Sequence, residues 1–71
     1  MTENQVKELK SIITEAWNNA CENGDEQELR SYTPEQLSVD MYDRLWFPFE
    51  FEYEEFEPLV KEFYSNGYRF N

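Results

Sequence analysis

The side chains of this sequence that could do chemistry are almost all carboxylates. Sixteen Asp and Glu residues stand against six Lys and Arg, histidine is absent, and Cys21 is the only cysteine. Paired carboxylates can hydrolyse glycosidic bonds, and a cage of acidic oxygens can hold calcium. A chain of 71 residues cannot easily wrap a sugar cleft around such a pair, and the EF-hand loop pattern is absent. We therefore expect no enzymatic activity, no metal site and no cofactor.

The densest group of carboxylates lies in residues 46–57, WFPFEFEYEEFE. Over residues 49–54 aromatic and acidic residues alternate, which is the side-chain period of a half-buried β-strand. The acidic face of this strand would carry Glu50, Glu52 and Glu54. Glu55 and Glu57 extend the negative charge. Carboxylates two residues apart on a strand are about 6.6 Å from each other, so this stretch predicts a row of fixed charges suited to a basic partner.

Other acidic residues lie on a polar segment near residue 25 and on a second predicted helix. They are Asp25, Glu26, Glu28, Glu35, Asp40 and Asp43. One interpretation of all these carboxylates is a solvated surface, with charge that keeps strand edges from aggregating. The other is a binding surface, which we favour because a formal net charge of −10 exceeds what solubility requires.

An amphipathic helix is predicted at the N-terminus of the chain. Thr2 and Gln5 form a capping-box pattern, and Gly24 is a natural left-handed stop. Between them, apolar residues recur at helical spacing over five to six turns. The polar segment that follows is predicted to be a loop with one helical turn around Glu26–Leu29.

Three further elements complete the predicted fold, in the order α-α-β-α-β. A second helix begins at Thr33-Pro34, where Gln36 completes another capping box, and it ends before Pro48. A third helix runs from Glu57-Pro58 to Asn66-Gly67. A short C-terminal strand over Tyr68–Phe70 would pair with residues 49–53. We therefore expect one small α+β domain over residues 1–71. Because a two-stranded sheet is marginal alone, we also expect a homodimer that completes it.

Aromatic residues make up 18% of the chain, which is more than so small a core can hide. The candidate interface or dimer anchors are Trp46, Phe47, Tyr68 and Phe70. The negative charge disfavours direct binding to nucleic acid or to anionic membranes. The sequence shows neither a signal-peptide pattern nor an apolar run of membrane-spanning length, so we expect an intracellular, cytoplasmic protein.

The whole chain resembles the small acidic DNA-mimic proteins that bacteriophages and mobile elements make against host DNA-binding proteins. The resemblance is carried by the stretch FEFEYEEFE at Phe49–Glu57 and by the six other acidic residues named above, and it is one of size, charge and residue habit. Duplex DNA carries one negative charge per about 1.7 Å of axis, so a mimic needs closely spaced carboxylates on a rigid frame.

The resemblance implies inhibition without catalysis, in the cytoplasm of a host cell, by occupying the basic DNA-binding site of a host protein. Targets of this class include HU-like nucleoid proteins, CRISPR effectors and other DNA-binding enzymes. We rank an HU-like protein first, because a dimeric mimic suits a two-fold target. The alternative is a small structural or adaptor module that binds its partner through exposed aromatic residues.

Overall fold

The computed structural model describes all residues 1–71, and it contains four helices and no β-strand. The helices are α1 (Glu3–Glu22), α2 (Glu26–Arg30), α3 (Pro34–Arg44) and α4 (Tyr53–Ser65). α3 packs along α4, and α1 packs on both α2 and α4. The protein is therefore a small all-helical domain, measuring 33 × 24 × 19 Å, and the expected α+β class is wrong.

Both predicted capping boxes are confirmed. At the start of α1, the Thr2 hydroxyl accepts from the N–H of Gln5 at 3.2 Å, and the Gln5 side chain accepts from the N–H of Thr2 at 2.9 Å. Thr33 and Gln36 repeat this arrangement at the start of α3, at 3.1 and 3.0 Å. Each box satisfies two N–H groups that a helix start leaves without an intrahelical partner.

The predicted helix stop at Gly24 and the helical turn after it are also confirmed. Gly24 has φ +86°, and the next N–H, that of Asp25, donates back to the carbonyl of Ala20 at 2.9 Å. This is the Schellman arrangement, which pairs the last carbonyls of a helix and turns the chain away. The turn is α2, and its Leu29 is buried in the core.

The predicted C-terminal strand over Tyr68–Phe70 is wrong. Gly67 and Tyr68 have φ of +76° and +65°, and an extended strand requires negative φ. The N–H of Tyr68 donates to the carbonyl of Phe63 at 2.8 Å, so α4 ends in a second Schellman turn. The chain therefore turns back, and the Tyr68 ring stacks on Trp17 of α1 at 4.0 Å between ring centroids.

The predicted strand over residues 49–54 is wrong as well. Residues 49–52 are irregular, and α4 begins at Tyr53 rather than at Glu57-Pro58. Tyr53, Phe56, Val60 and Phe63 recur at spacings of three and four residues, and the last three are fully buried. This helical period extends the apolar face of α4 by one turn toward the N-terminus. A lone strand here would have had no second strand to pair its backbone groups.

The core lies between the helices and draws residues from all four of them. Its members are Leu9, Ile13, Trp17, Ala20, Leu29, Leu37, Met41, Phe56, Val60 and Phe63. Ser38 is the one buried polar residue. Its hydroxyl donates to the Glu35 carbonyl at 2.9 Å and lies 2.9 Å from the Tyr53 hydroxyl. No buried polar side-chain atom lacks a partner, so the core carries no unpaired polar group.

Pro58 provides a test of where α4 begins. It lies at the sixth helical position, where proline lacks the N–H that would pair with the carbonyl of Glu54. Pro58→Ala restores this donor, and we expect it to raise the free energy of unfolding by about 1–3 kcal/mol, measured by urea denaturation.

Pro34→Ala is the matched control for this substitution. Pro34 is the first residue of α3, where a missing N–H costs no hydrogen bond. Its replacement should therefore leave stability unchanged or lower it slightly, because alanine frees the unfolded chain. If α4 began at Glu57-Pro58, the two proline substitutions would give the same result.

Candidate interaction surface

The connection between α3 and α4, residues 45–52, packs its three phenylalanine rings on the core and leaves its acidic side chains in solvent. The Phe51 ring lies edge-on to Phe47 at 4.8 Å and to Phe49 at 5.8 Å. These three residues are half-buried, whereas Glu50 and Glu52 between and after them are exposed. The alternation of buried and exposed residues that the sequence suggested is therefore present, but in a connection without a sheet.

Ion pairs within the chain divide the eleven predicted partner-binding carboxylates into two groups. Five of them pair with a cation of the chain, and these are Glu26, Glu35, Asp40, Glu55 and Glu57. The remaining six have no ion pair, and these are Asp25, Glu28, Asp43, Glu50, Glu52 and Glu54. Asp40 pairs with Arg44 one turn later at 3.0 Å. Only the unpaired group offers carboxylates that are free to meet a partner's cations.

Glu55 holds the start of α4. Its Oε2 accepts from the N–H of Glu52 at 3.0 Å, and its Oε1 lies 3.3 Å from the ammonium of Met1. The hydrogen bond that the Glu52 N–H donates lowers the pKa of Glu55 below its ordinary value, and the Met1 ammonium lowers it further. This carboxylate therefore positions the connection and joins the N-terminus to α4.

Glu26 and Glu57 also have partners within the chain. Arg30 Nε donates to Glu26 at 2.7 Å, and this hydrogen bond holds the pKa of Glu26 below its ordinary value. The Tyr53 hydroxyl donates to Glu57 at 3.0 Å, and Lys61 Nζ lies 3.7 Å from it. Both carboxylates therefore join residues one turn apart on their own helices.

A second row of carboxylates on α1 was not among the predicted site residues. Glu8, Glu15 and Glu22 are exposed and have no ion pair. Seven residues are almost two helical turns, so the three side chains lie on one face of α1, about 10.5 Å apart along the axis. The spacing is visible in the sequence, and it would have identified the row.

The four predicted anchors differ in how much of each ring the chain covers. Phe47 packs on Phe56 with 5.3 Å between centroids, and Phe70 packs on Phe63 at 5.2 Å. Tyr68 stacks on Trp17 almost in parallel, at 7° between ring planes. Trp46, in contrast, is 80% exposed and contacts no other ring. It is the one anchor whose ring is available to a partner.

Trp46 borders an open groove of about 670 Å³ beside the connection. Its apolar lining consists of Tyr42, Leu45, Trp46, Phe47, Phe49 and Phe51. Its acidic lining consists of Glu50, Glu52 and Glu55. No Lys or Arg lines it. The groove thus combines exposed aromatic surface with negative charge and suits a ligand that is both cationic and partly apolar.

No protein-family model matches the chain, and no curated protein or solved structure is detectably similar to it.

No three metal-ligating side chains lie close together, and none of the four helices has the length and apolar character needed to cross a membrane. The pKa of the Cys21 thiol is raised, mainly by partial burial and to a lesser extent by a hydrogen bond with Glu26. A raised pKa disfavours the reactive thiolate.

Glu55→Gln is expected to lower the free energy of unfolding at neutral pH and to change it little in acid. Because the pKa of Glu55 is lower in the folded state, its contribution is present above the unfolded pKa and is lost as the pH falls through the folded value. Urea denaturation of both proteins from about pH 7 to about pH 3 measures the difference.

The neighbouring carboxylate Glu54 provides the control for this pH dependence. It is exposed, has no ion pair and also lies in the first turn of α4. Glu54→Gln removes the same charge without touching the Met1 ammonium or the Glu52 N–H. A difference between wild type and Glu55→Gln that stays constant over the whole pH range would contradict the assigned role of Glu55.

Proposed function

We propose that this protein is a non-enzymatic DNA-mimic inhibitor whose carboxylates occupy the basic DNA-binding surface of another protein. The observation that carries the proposal is the excess of carboxylates that the chain leaves unpaired. Six of the sixteen acidic residues form ion pairs, which leaves ten without one. A surface that served only solubility would need fewer charges.

The helical frame supports this proposal, because a mimic must hold its charges in place. Glu54 lies in the first turn of α4, and Asp43 lies near the end of α3. The half-buried rings of Phe47, Phe49 and Phe51 hold the connection that carries Glu50 and Glu52. Charges fixed in this way lose little conformational freedom when they meet a partner, which favours binding.

The proposed partner is a basic DNA-binding protein of a host cell's cytoplasm, with an HU-like nucleoid protein ranked ahead of a CRISPR effector or another DNA-binding enzyme. A homodimer would match a two-fold target. The homodimer was expected because it would complete a two-stranded sheet, which this fold does not have. It stays a prediction, and the exposed surface around Trp46 is not assigned to it.

A second candidate function is an adaptor module that binds its partner through aromatic residues, and the 80% exposure of Trp46 favours it. The two functions differ in their dependence on salt. Binding through carboxylates weakens steeply as salt screens the charges. Binding through an aromatic ring alone is almost insensitive to salt.

Replacing Glu50, Glu52 and Glu54 together with Gln is expected to weaken binding to an HU-type nucleoid protein by about tenfold. This value assumes about 0.5 kcal/mol for each of three exposed charge pairs. The protein should stay folded, because none of the three carboxylates forms an ion pair within the chain. Isothermal titration calorimetry at several salt concentrations measures the affinity, and displacement by duplex DNA tests whether the two compete.

Replacing Glu8, Glu15 and Glu22 with Gln is the matched control, because it removes the same three charges from the α1 row. If Glu50, Glu52 and Glu54 form the binding site, this control should weaken binding less than their replacement does. If the α1 set weakens binding more, the mimic surface is on α1. Binding that duplex DNA does not displace, or that salt does not weaken, would overturn the DNA-mimic proposal.

A further inference from the structure

We infer that the groove beside Trp46 binds an arginine side chain of the partner, held between the Trp46 ring and the carboxylates of Glu50 and Glu52. This inference rests on the proposed function, in which the partner is a basic protein. It goes beyond charge mimicry, because it assigns the exposed ring to the binding site and specifies the side chain that the ring contacts.

Charge mimicry alone gives no reason for the exposure of Trp46. The outer surface of duplex DNA presents phosphates, and a mimic of phosphates needs carboxylates rather than an indole ring. An exposed tryptophan at the border of an apolar groove is the kind of residue that dominates binding energy once a partner covers it. The ring must therefore meet something that the carboxylates alone would not bind.

The chain itself shows what an aromatic ring and a carboxylate bind together. The Arg30 guanidinium carbon lies 4.6 Å from the centre of the Tyr68 ring and 5.5 Å from that of Trp17. Its Nε donates to Glu26 at 2.7 Å. A guanidinium over a ring face gains from the ring's negative face, and the carboxylate neutralises its charge.

A second site of the same kind lies at Lys10 of α1. Lys10 Nζ lies 5.2 Å from the centre of the Phe70 ring and 3.6 Å from Glu62. Both internal sites thus combine a cation, an aromatic ring and a carboxylate. The repetition shows that this fold uses one chemistry for its own cations at two separate places.

The Trp46 groove has the ring and the carboxylates of these sites, but the chain supplies a cation only to Glu55, through the Met1 ammonium, and none to Glu50 or Glu52. Arg44 is the nearest basic residue in sequence, and its guanidinium donates to Asp40 at 3.2 and 3.0 Å. None of the six Lys and Arg residues lines the groove. Charge complementarity therefore favours a cation that a partner supplies.

Arginine suits the groove better than lysine does. Its planar guanidinium can stack on an indole and at the same time hydrogen-bond a carboxylate with two N–H groups. Its methylene stem can lie along the apolar lining. Arginine is also common on surfaces that bind DNA, where it contacts phosphates and guanine. The partner side chain that fits both the groove and the proposed function is therefore arginine.

A second copy of this chain is a poor occupant of the same groove. Each copy carries a net charge of −10, and closing two grooves on each other would bring Glu50 and Glu52 close to the same residues of the other copy. Such like-charge contacts are unfavourable. The only cations without an ion pair are Lys7 and Arg69, and neither lines the groove.

The test is Trp46→Ala, measured by isothermal titration calorimetry against two probes. The first is a six-residue peptide of alternating arginine and leucine, with a peptide of alternating lysine and leucine beside it. The second is the HU-type nucleoid protein. We expect Trp46→Ala to weaken binding of the arginine peptide about fivefold or more and to remove most of its preference over the lysine peptide. Binding of the HU-type protein should weaken about tenfold with an unchanged dependence on salt, because no charge is removed.

Val39→Ala is the matched control, because Val39 is another exposed apolar residue, at 47% exposure, and lies outside the groove. It should bind both probes as wild type does. Trp46→Ala should keep the wild-type urea midpoint, since its side chain is largely in solvent. This midpoint separates loss of binding from loss of fold.

The outcomes separate this inference from the proposed function. If Trp46→Ala binds both probes like wild type while the Glu50, Glu52 and Glu54 variant loses the HU-type protein, the arginine site is wrong and the mimic stands. If the HU-type protein does not bind at all, the proposed target is wrong, and the peptide still tests the groove. If wild type dimerises in sedimentation experiments and Trp46→Ala does not, the occupant is a second copy and the inference is overturned.

Discussion

Burial of Phe56 is the interaction on which the candidate surface depends. This ring is fully buried, and its centroid lies 5.9 Å from Tyr42 of α3 and 5.3 and 5.7 Å from Phe47 and Phe51 of the connection. It thus joins α3, the connection and α4 in one aromatic cluster. Burying rings of this size supplies a large share of the stability of so small a core. The same contacts determine where Glu50, Glu52 and Trp46 emerge into solvent.

The local features of this fold could be predicted from the sequence because their causes are local. The capping boxes at Thr2 and Thr33 join residues three apart, and the stop at Gly24 needs only a residue that tolerates positive φ. The strand over residues 49–54 was wrong for a reason that is not local. A period of two shows which residues face inward on an extended backbone, but a strand also needs a second strand to pair with. In this protein the aromatic side chains of residues 49–54 pack against α3 and α4 rather than in a sheet.

The start of α4 was misplaced because two signals in the sequence disagreed. Proline is common at the first helical position, and Glu57-Pro58 therefore indicated a start there. The apolar spacing of Tyr53 and Phe56 with Val60 indicated a start one turn earlier, and the gain from burying Phe56 outweighed the hydrogen bond that Pro58 forfeits. A proline costs about 3 kcal/mol inside a helix, whereas truncating a buried phenylalanine to alanine costs about 3–5 kcal/mol.

Which carboxylates are paired within the chain could be predicted only in part, because some of the ion pairs join residues that are distant in sequence. The pair between Glu26 and Arg30 spans one helical turn and is readable from spacing alone. Lys61 of α4 reaches Glu35 of α3 at 3.6 Å, and the N-terminal ammonium reaches Glu55 across the fold. Neither contact follows from neighbouring residues. The exposure of Trp46 is likewise a tertiary fact, since composition indicated only that some aromatic residues would remain at the surface.

The unpaired carboxylates connect the stability of the protein to the binding that we propose. Ten carboxylates without ion pairs repel one another, so the free protein should gain stability as salt screens the repulsion. Attraction to a basic partner is screened by the same ions and weakens over the same range. A partner therefore stabilises the fold most at low salt, where the free protein is least stable. At low salt the partner's basic surface takes the place of the screening ions. It neutralises the charges of the connection and of α1, and it thereby offsets a repulsion that the chain's own six cations are too few to remove.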